Sequence, residues 1–390
     1  MGLQKLMRIG IDASNLRQGG GITHLAELLR AANPQLHGFM EIVVWGGEVT
    51  LSRLPDAPWL RKVNIAMLNR GLLWRMFWQA RHLSEYAQDA QCDVLFVPGG
   101  SFVGSFSPTV LMSQNLLPFE WLEIWRTGYS LQTAKMLLLR LVQSYSFKRA
   151  QGVIFLSQYG KKAVEAITGS LAAPTCIIAH GLPNIFINPV TLPIRSLADC
   201  DIDLPLRIVC VGNIDAYKHP VQVLRAVARL RYQGYPITLE FIGPGVPKWI
   251  AKLQSAIRKI DHAKKWARYL GVITPAQLQE KYAQADLAIF ASSCETFGII
   301  LLEEMAMGVP IISSNCSAIP EVVQDAALYC DPENHLSIAT AIKEALLSDE
   351  LRQAMRNRGY VIVQQYSWEQ CANETFSFLK RCILSAHVQL

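Results

Sequence analysis

The sequence predicts an α/β protein of two Rossmann-like domains, each a mostly parallel sheet covered by helices. Three observations predict it. Short apolar runs rich in Val, Ile and Leu alternate with longer helical stretches, the pattern of strand–helix–strand units. The alternation starts afresh at Leu206, with another apolar run that ends on a glycine, Gly212. At 390 residues, about half of them hydrophobic, the chain can bury two cores of ordinary size.

In order, Arg8–Ala13 reads as a strand, Gly19–Gly21 as a turn and Ile22 to about Ala32 as a helix. A strand, a glycine turn and a helix let a backbone approach phosphate closely, so Gly20 and Gly21 are candidate ligand contacts. Further strands are expected at Glu41–Trp45, Val63–Met67, Asp93–Pro98, Thr109–Ser113, Gly152–Ser157 and Thr175–Ala179. Helices are expected at Leu72–Asp89, Ser130–Ala150 and Tyr159–Ile167. Within Leu72–His82, the residues Leu73, Trp74, Phe77 and Trp78 share a face with Arg70 and Arg81. Such a face suits a membrane interface or a lipid-phosphate acceptor. The expectation is the plainer one, a helix packed on the sheet with arginine stems along the aromatics.

This first domain should span residues 1–190, followed by a linker at 191–205 within the proline-bearing stretch Asn188–Pro205. Asp201 and Asp203 sit in that stretch with no hydrophobic strand just before them, so no catalytic metal is expected there. The second domain, 206–365, opens with the strand and turn Leu206–Asn213, then Lys218 and a helix to about Gln233. Leu239–Gly245 and Leu270–Ile273 are further strand-and-turn segments, and the chain is helical from about His335.

Totals narrow the function. No apolar run reaches the roughly 18 residues that span a bilayer, and Met136–Val142 is interrupted by Arg140. Met1–Leu6 lacks a signal-peptide layout, and Leu6 stands where a myristoylation signal carries Ser or Thr. Nine cysteines without a C-x-x-C pair read as reduced core thiols of a cytoplasmic protein. Residues 1–190 hold 17 Lys/Arg against 11 Asp/Glu, whereas the remaining 20 and 20 cancel. The whole net charge of +6 therefore lies in the first half, which suits an anionic partner such as a phospholipid surface or a lipid pyrophosphate. No nucleic-acid recognition motif accompanies it.

The chemistry concentrates in Ser293–Ser314. A loop carrying Glu295 follows the strand Leu287–Phe290, a helix begins near Gly298, and Glu303 lies inside it. The free backbone N–H groups around Phe297, Gly298, Ile299 and Ile300 at the helix's positive end favour a phosphate between the two carboxylates. Glu295-x7-Glu303 is followed by Ala306-Met-Gly-Val-Pro310 and accompanied by Tyr269–Ile273, Ala285–Ser292 and Ile319–Pro332. Together these resemble the retaining glycosyltransferases of family 4, over most of residues 206–335.

That resemblance implies a GT-B fold, with two sheets facing across a cleft and a last helix, about 366–390, crossing back to the first domain. It implies a nucleoside-diphosphate sugar donor, UDP- or GDP-linked, and an acceptor hydroxyl on a glycan or lipid-linked glycan. No cofactor and no metal are implied. Glu303 should accept from the ribose and Glu295 should hold the transferred sugar. Lys218 should meet the diphosphate and the backbone at Val272 should border the base. The family's phosphate arginine is replaced by Asn213, with Arg17 and Lys248 as possible substitutes. Its His-Asp pair in His-Asp-Leu-x-Pro is replaced by Gln114-Asn115, neither of which can serve as a general base. Asn115 is thus expected to orient a hydroxyl or to shape the turn before Pro118. An epimerase or phosphorylase of the same fold, or a binding subunit with little turnover, are the rival readings.

Overall fold

Short apolar runs become the strands of two parallel sheets in the computed structural model, which describes residues 6–17, 19–187, 192–263 and 265–388. Strands with both faces covered by helices need apolar side chains on both, which is why Val94–Val97 and Leu287–Phe290 are buried at every position. One unit runs to Gly181 and resumes at Ser367; the other is Leu182–Tyr366.

The first unit contains β1 (Met7–Asp12), β2 (Phe39–Gly46), β3 (Leu60–Asn64), β4 (Val94–Val97), β5 (Thr109–Ser113), β6 (Gly152–Phe155) and β7 (Thr175–Ile177). Their order in the sheet is β3-β2-β1-β4-β5-β6-β7, with Ile9 of β1 opposite Ile42 on one side and Val94 on the other. Its helices are α1 (Gly20–Arg30), α2 (Glu48–Leu51), α3 (Leu72–Arg81), α4 (Leu83–Asp89), α5 (Trp121–Trp125), α6 (Leu131–Arg149) and α7 (Gln158–Thr168).

The second unit contains β8 (Leu206–Val211), β9 (Ile237–Ile242), β10 (Ala267–Gly271), β11 (Leu287–Phe290), β12 (Ile311–Ser314) and β13 (Ala327–Cys330), ordered β10-β9-β8-β11-β12-β13. Around it lie α8 (Pro220–Tyr232), α9 (Pro247–Ile260), α10 (Pro275–Gln284), α11 (Ile299–Ala306), α12 (Ile319–Val323), α13 (His335–Leu347) and α14 (Asp349–Val363). Leu224, Val227, Leu239, Phe241, Ile289 and Ile342 are central to its core. The last helix, α15 (Trp368–Val388), returns to the first unit and packs on α1. Its Cys382 and Phe378 lie so close to β6 that a Cβ at Gly152 would overlap both.

Several expected boundaries move. The strand expected at Val63–Met67 is Leu60–Asn64, because its pairing with β2 ends where Asn64 meets Gly46. Residues 72–89 form two helices that break at His82. The segment α5 had no counterpart among the expected helices. The aromatic face of α3 is not packed on the sheet. Trp78 and Gln79 are its buried residues, while Leu73, Trp74 and Phe77 are exposed. Of the expected face, Trp78 turns inward and Leu73, Trp74 and Phe77 outward, since the helical pattern does not say what covers it.

The expected domain boundary at 190/191 lies outside the described residues, as does residue 191 of the expected linker. The rest of that linker belongs to the second unit. Arg195 forms an ion pair with Asp286 and donates to the Pro205 carbonyl. Arg352 donates in turn to the Arg195 carbonyl at 2.7 Å. Asp201 caps its own turn, its Oδ1 accepting from the N–H groups of Asp203 and Leu204. Residues 1–5, part of the segment read for targeting signals, also lie outside the described residues.

Candidate functional site

In the second sheet the chain leaves β8 towards β9 on one side, and later leaves β11 towards β12 on the other. Loops following two such neighbouring strands diverge and open a crevice at their carboxyl ends, the usual ligand position in parallel α/β sheets. The β8 loop carries Asn213, Tyr217 and Lys218; the β11 loop carries Ser293, Glu295 and Gly298.

These two loops are stitched together. The Ser293 N–H donates to the Tyr217 carbonyl at 2.8 Å, and His219 Nε2 lies 2.9 Å from Ser293 Oγ. His219 takes a left-handed conformation (φ 47°) where α8 begins. From the β12 side, Ser314 donates to the Ser292 carbonyl, and the Glu295 N–H donates to Ser317 Oγ at 2.9 Å. The loop that holds Glu295 is therefore tied on both flanks. Lys218 Nζ reaches across and pairs directly with Glu295, both side chains being about one-seventh exposed (14% and 15%). The ammonium also stands 4.4 Å from the centroid of the Phe290 ring. A cation and a carboxylate thus share one small, partly dehydrated place.

Close backbone approach shapes the rest. Gly212 has φ 144° and Gly243 φ 131°, and a Cβ on Gly243 would overlap the Gly212 carbonyl oxygen. Above Gly212 lie the Ile300 side chain and Lys218 Nζ. The start of α11 is therefore beside the lysine. Gly298 precedes that helix with φ 92°, in the left-handed region that only glycine enters cheaply. It offers no side-chain cap, so the first N–H groups of the helix have no capping oxygen from that residue. Phe297 turns its buried ring against Tyr366, centroids 5.5 Å apart, so its backbone alone faces the loop. Asn213 hydrogen bonds to the Tyr217 hydroxyl. Val272 is exposed on the loop after β10, next to Gly271, whose carbonyl accepts from Gly243.

Glu303 and Glu304 lie deeper in α11. Glu303 is half-buried and accepts from the Tyr282 hydroxyl at 3.3 Å. Burial pushes its carboxyl up to about 7, with the Tyr282 hydrogen bond opposing. Glu304 is fully buried with neither carboxyl oxygen hydrogen-bonded, and burial raises it well above the usual range. Sequence reading missed Glu304, Tyr217, His219, Tyr282 and Ser317; only the repeated glutamate in Glu303-Glu304 carried a signal.

In the first unit, two segments read separately from sequence come together. A Cβ on Gly21 would stand 3.1 Å from Gln114 Oε1, so the turn after β1 and the turn after β5 are neighbours. Gly20, the first residue of α1, has open space around its Cα. Asn115 Oδ1 accepts from the Leu117 N–H at 3.1 Å, so the side chain shapes the turn before Pro118. Arg17 gives its guanidinium to the carbonyls of Leu68 and Arg70. In the second unit, Lys248 rests on the Trp249 ring. Neither residue is brought to Asn213 by contacts within its own unit. His180 faces His24, Nδ1 to Nδ1 2.8 Å, with Trp368 against both rings. Among the described residues no group of three or more His, Cys, Asp or Glu could hold a metal ion.

Residues 203–361, within the second unit, match the family described as "Glycosyl transferases group 1". The O-antigen chain mannosyltransferase B of Escherichia coli is 33% identical over 168 residues, which cover 43% of this chain and 42% of that protein. A D-inositol 3-phosphate glycosyltransferase of Corynebacterium glutamicum is 26% identical over 200 residues, 50% of this chain and 48% of that protein. The match thus spans less than half the length of these curated relatives. The fold is similar along the whole chain to the sucrose-phosphate synthase of Thermosynechococcus elongatus. That match has a TM-score of 0.77 and 18% identity, covering 97% of this chain and 100% of that one. These similarities give the chain the two-domain GT-B fold. Anabaena HepE, solved in complex with UDP and glucose, is also similar, with a TM-score of 0.69, 16% identity, and coverage of 98% and 100%.

Proposed function

We propose that this protein is a glycosyltransferase that binds a nucleoside-diphosphate sugar on its second unit. It moves the sugar, with retention of configuration and without a catalytic metal, to an acceptor hydroxyl on a lipid-linked or cell-envelope glycan. The Lys218–Glu295 pair carries this reading, because it lies beside the start of α11 at the switch point of a group 1 domain. A diphosphate entering there takes the lysine and the helix N–H groups, releasing Glu295 to accept from the sugar's hydroxyls. Glu303, one helix face deeper, accepts from the ribose. Charge that builds on the leaving phosphate is met by Lys218 and by the N–H groups of Ile299 and Ile300. No protein nucleophile is invoked: the acceptor attacks from the leaving-group side, its proton passing to a phosphate oxygen. The complex of HepE with UDP and glucose supports the donor class, and the O-antigen relative supports an envelope glycan. The reaction is assigned to the cytoplasm, where nucleotide sugars are available.

One observation favours a second reading, a nucleotide-sugar-binding subunit with weak turnover. Asn213 is engaged by Tyr217 and Asn115 by its own turn, so neither supplies the charge or base that those positions lack. Calorimetric titration with UDP, GDP and ADP, on the wild type and on Glu303→Ala, tests the first reading. One nucleotide is expected to bind the wild type at least tenfold more tightly than the variant. Equal binding to both proteins, or none, removes the assignment. Incubating the preferred donor with candidate glycan acceptors then separates transferase from binding subunit.

A further inference from the structure

The largest run of exposed apolar side chains lies away from the residues considered so far, on α5, the turn after it, and α6. Leu122 is 80% exposed, Tyr129 98% and Leu131 92%. Along α6, Leu131, Ala134, Leu138, Leu141 and Tyr145 follow one another at steps of three and four residues, and all are exposed. This is the pattern of a helix face meant to be covered, and none of the described residues of its own unit covers it. The buried side of the same helix is Thr133, Gln143, Ser146 and Phe147. The helix therefore turns polar groups inward and leucines outward.

The charge on the stripe's own helix has one sign, and on α5 the acid Glu123 is already paired with Arg126. α6 contains Lys135, Arg140, Lys148 and Arg149 and no acid. Arg140 lies over the Trp121 ring at 4.1 Å and Arg149 over Tyr145 at 5.2 Å, so the cationic stems run along the aromatics. The exposed face of α3 has the same character: Trp74 and Phe77, with Arg70 over Trp74 at 5.0 Å and no acid between Arg70 and Ser84. Right-handed crossovers from β3 to β4 and from β5 to β6 run the same way across the sheet, so α3 and α6 cover the same side of it. Both are pinned to one loop: Gln79 donates to the Ser101 carbonyl, and Ser146 exchanges hydrogen bonds with the backbone of Phe102.

We infer that this side of the first unit is a docking surface for an anionic lipid bilayer. Leu131, Leu138 and Leu141 enter the headgroup boundary, Trp and Tyr residues sit at its level, and the lysines and arginines meet lipid phosphates. Charge complementarity selects this occupant. A leucine stripe of this spacing could also pair two helices, but an isologous contact of α6 with a second copy would bring cations against cations, with no acid on that helix to relieve them and Glu123 of α5 already paired with Arg126. No helix among the described residues is long and apolar enough to cross a membrane, so the contact is interfacial. Its consequence, that a lipid-linked acceptor is met at the surface where it resides, rests on the function proposed above. The surface itself does not.

The test is sedimentation of the full chain with phosphatidylcholine vesicles, with and without phosphatidylglycerol, at low and high salt. The wild type is expected to pellet with the anionic vesicles alone and to be released by salt. Leu138→Glu with Leu141→Glu, and separately Lys135→Glu with Lys148→Glu, should each weaken binding at least tenfold while nucleotide titration stays as in the wild type. Wild type left in the supernatant, or pelleting unaffected by either double variant, overturns the inference. A wild-type dimer in light scattering that Leu138→Glu with Leu141→Glu dissociates, without vesicle binding, assigns the face to a second copy instead. Vesicle binding without any nucleotide binding would sink the proposed function and leave this surface standing.

Discussion

At the scale of single residues, the pairing of Lys218 with Glu295 decides what the site can do before any ligand arrives. Each partner holds the other in a partly dehydrated place, so neither charge is left unpaired in the free protein. Under the proposed function, a diphosphate would offer the lysine a stronger partner and free the carboxylate. Replacing Lys218 by Ala should weaken the preferred nucleoside diphosphate about 10–100-fold, the range for one charge-assisted hydrogen bond. The parent nucleoside, lacking phosphates, should bind both proteins alike. Isothermal titration with the two ligands separates these outcomes. Glu303 predicts a pH dependence. Its carboxyl titrates near 7 when folded and at an ordinary carboxyl value when unfolded. The folded state therefore binds the extra proton between roughly 4.5 and 7, and the stability linked to it is present at low pH and lost as pH rises through 7. Glu303→Gln should gain on the order of 1–3 kcal/mol relative to the wild type between pH 5 and pH 8, read from melting curves. If the carboxylate accepts from ribose, nucleotide affinity should rise through pH 7 in the wild type and stay flat in the variant.

At the scale of elements, α11 combines a start that lies beside Lys218 with an acid sealed beneath it. The helix begins where Gly298 turns left-handed, which brings Ile300 over Gly212 and beside Lys218. One residue beyond Glu303, Glu304 is fully buried with both carboxyl oxygens unpartnered. A buried polar group without a hydrogen bond costs stability, and an apolar side chain of similar size removes that cost. Glu304→Leu should leave the melting temperature unchanged or raise it, with a stability gain of about 1–3 kcal/mol. A loss of several degrees would show that the carboxyl has a partner in solution. The same helix shows what sequence could and could not reveal. The spacing of Glu295, Gly298 and Glu303 is local, so it was legible directly. That Ser317 and Tyr217 would hold the Glu295 loop was not, because both come from other strands and neither belongs to a motif. The exposed stripe on α6 lay in plain sequence, yet burial is a property of neighbours.

At the scale of the whole molecule, the chain passes between its units twice, after Gly181 and before Ser367. Within the first unit, Gly181 touches the backbone of Trp368 so closely that any Cβ would collide with it. Next to this contact the His24–His180 pair is buried under Trp368. Burial holds His24 well below its ordinary value, with His180 adding to the effect, and takes His180 down to about 3. Both rings are neutral when folded, whereas each binds a proton below about 6.5 when unfolded. Their contribution is complete above that value and is lost as pH falls towards 3. At pH 5 the cost is on the order of 2 kcal/mol for His180, and His24 adds to it in the same direction. The wild type should therefore melt markedly earlier at pH 5 than at pH 7.5, and His24→Leu should flatten that decline. Parallel acid sensitivity in both proteins would exclude the pair as its origin.

Sequence alone determined the α/β class, the second domain's family motif and the positive charge of the first half. Each of these is written in neighbouring residues or in totals. Tertiary structure decided the rest: that Lys218 meets Glu295 across 77 residues of chain, that Asn115 is spent on its own turn, and that residues 195–205 belong to the second unit. It also decided that the apolar faces of α3 and α6 stay exposed. The physical reason is the same throughout. Periodicity and propensity act over a few residues, whereas pairing, burial and a shifted proton affinity depend on what the rest of the chain brings alongside.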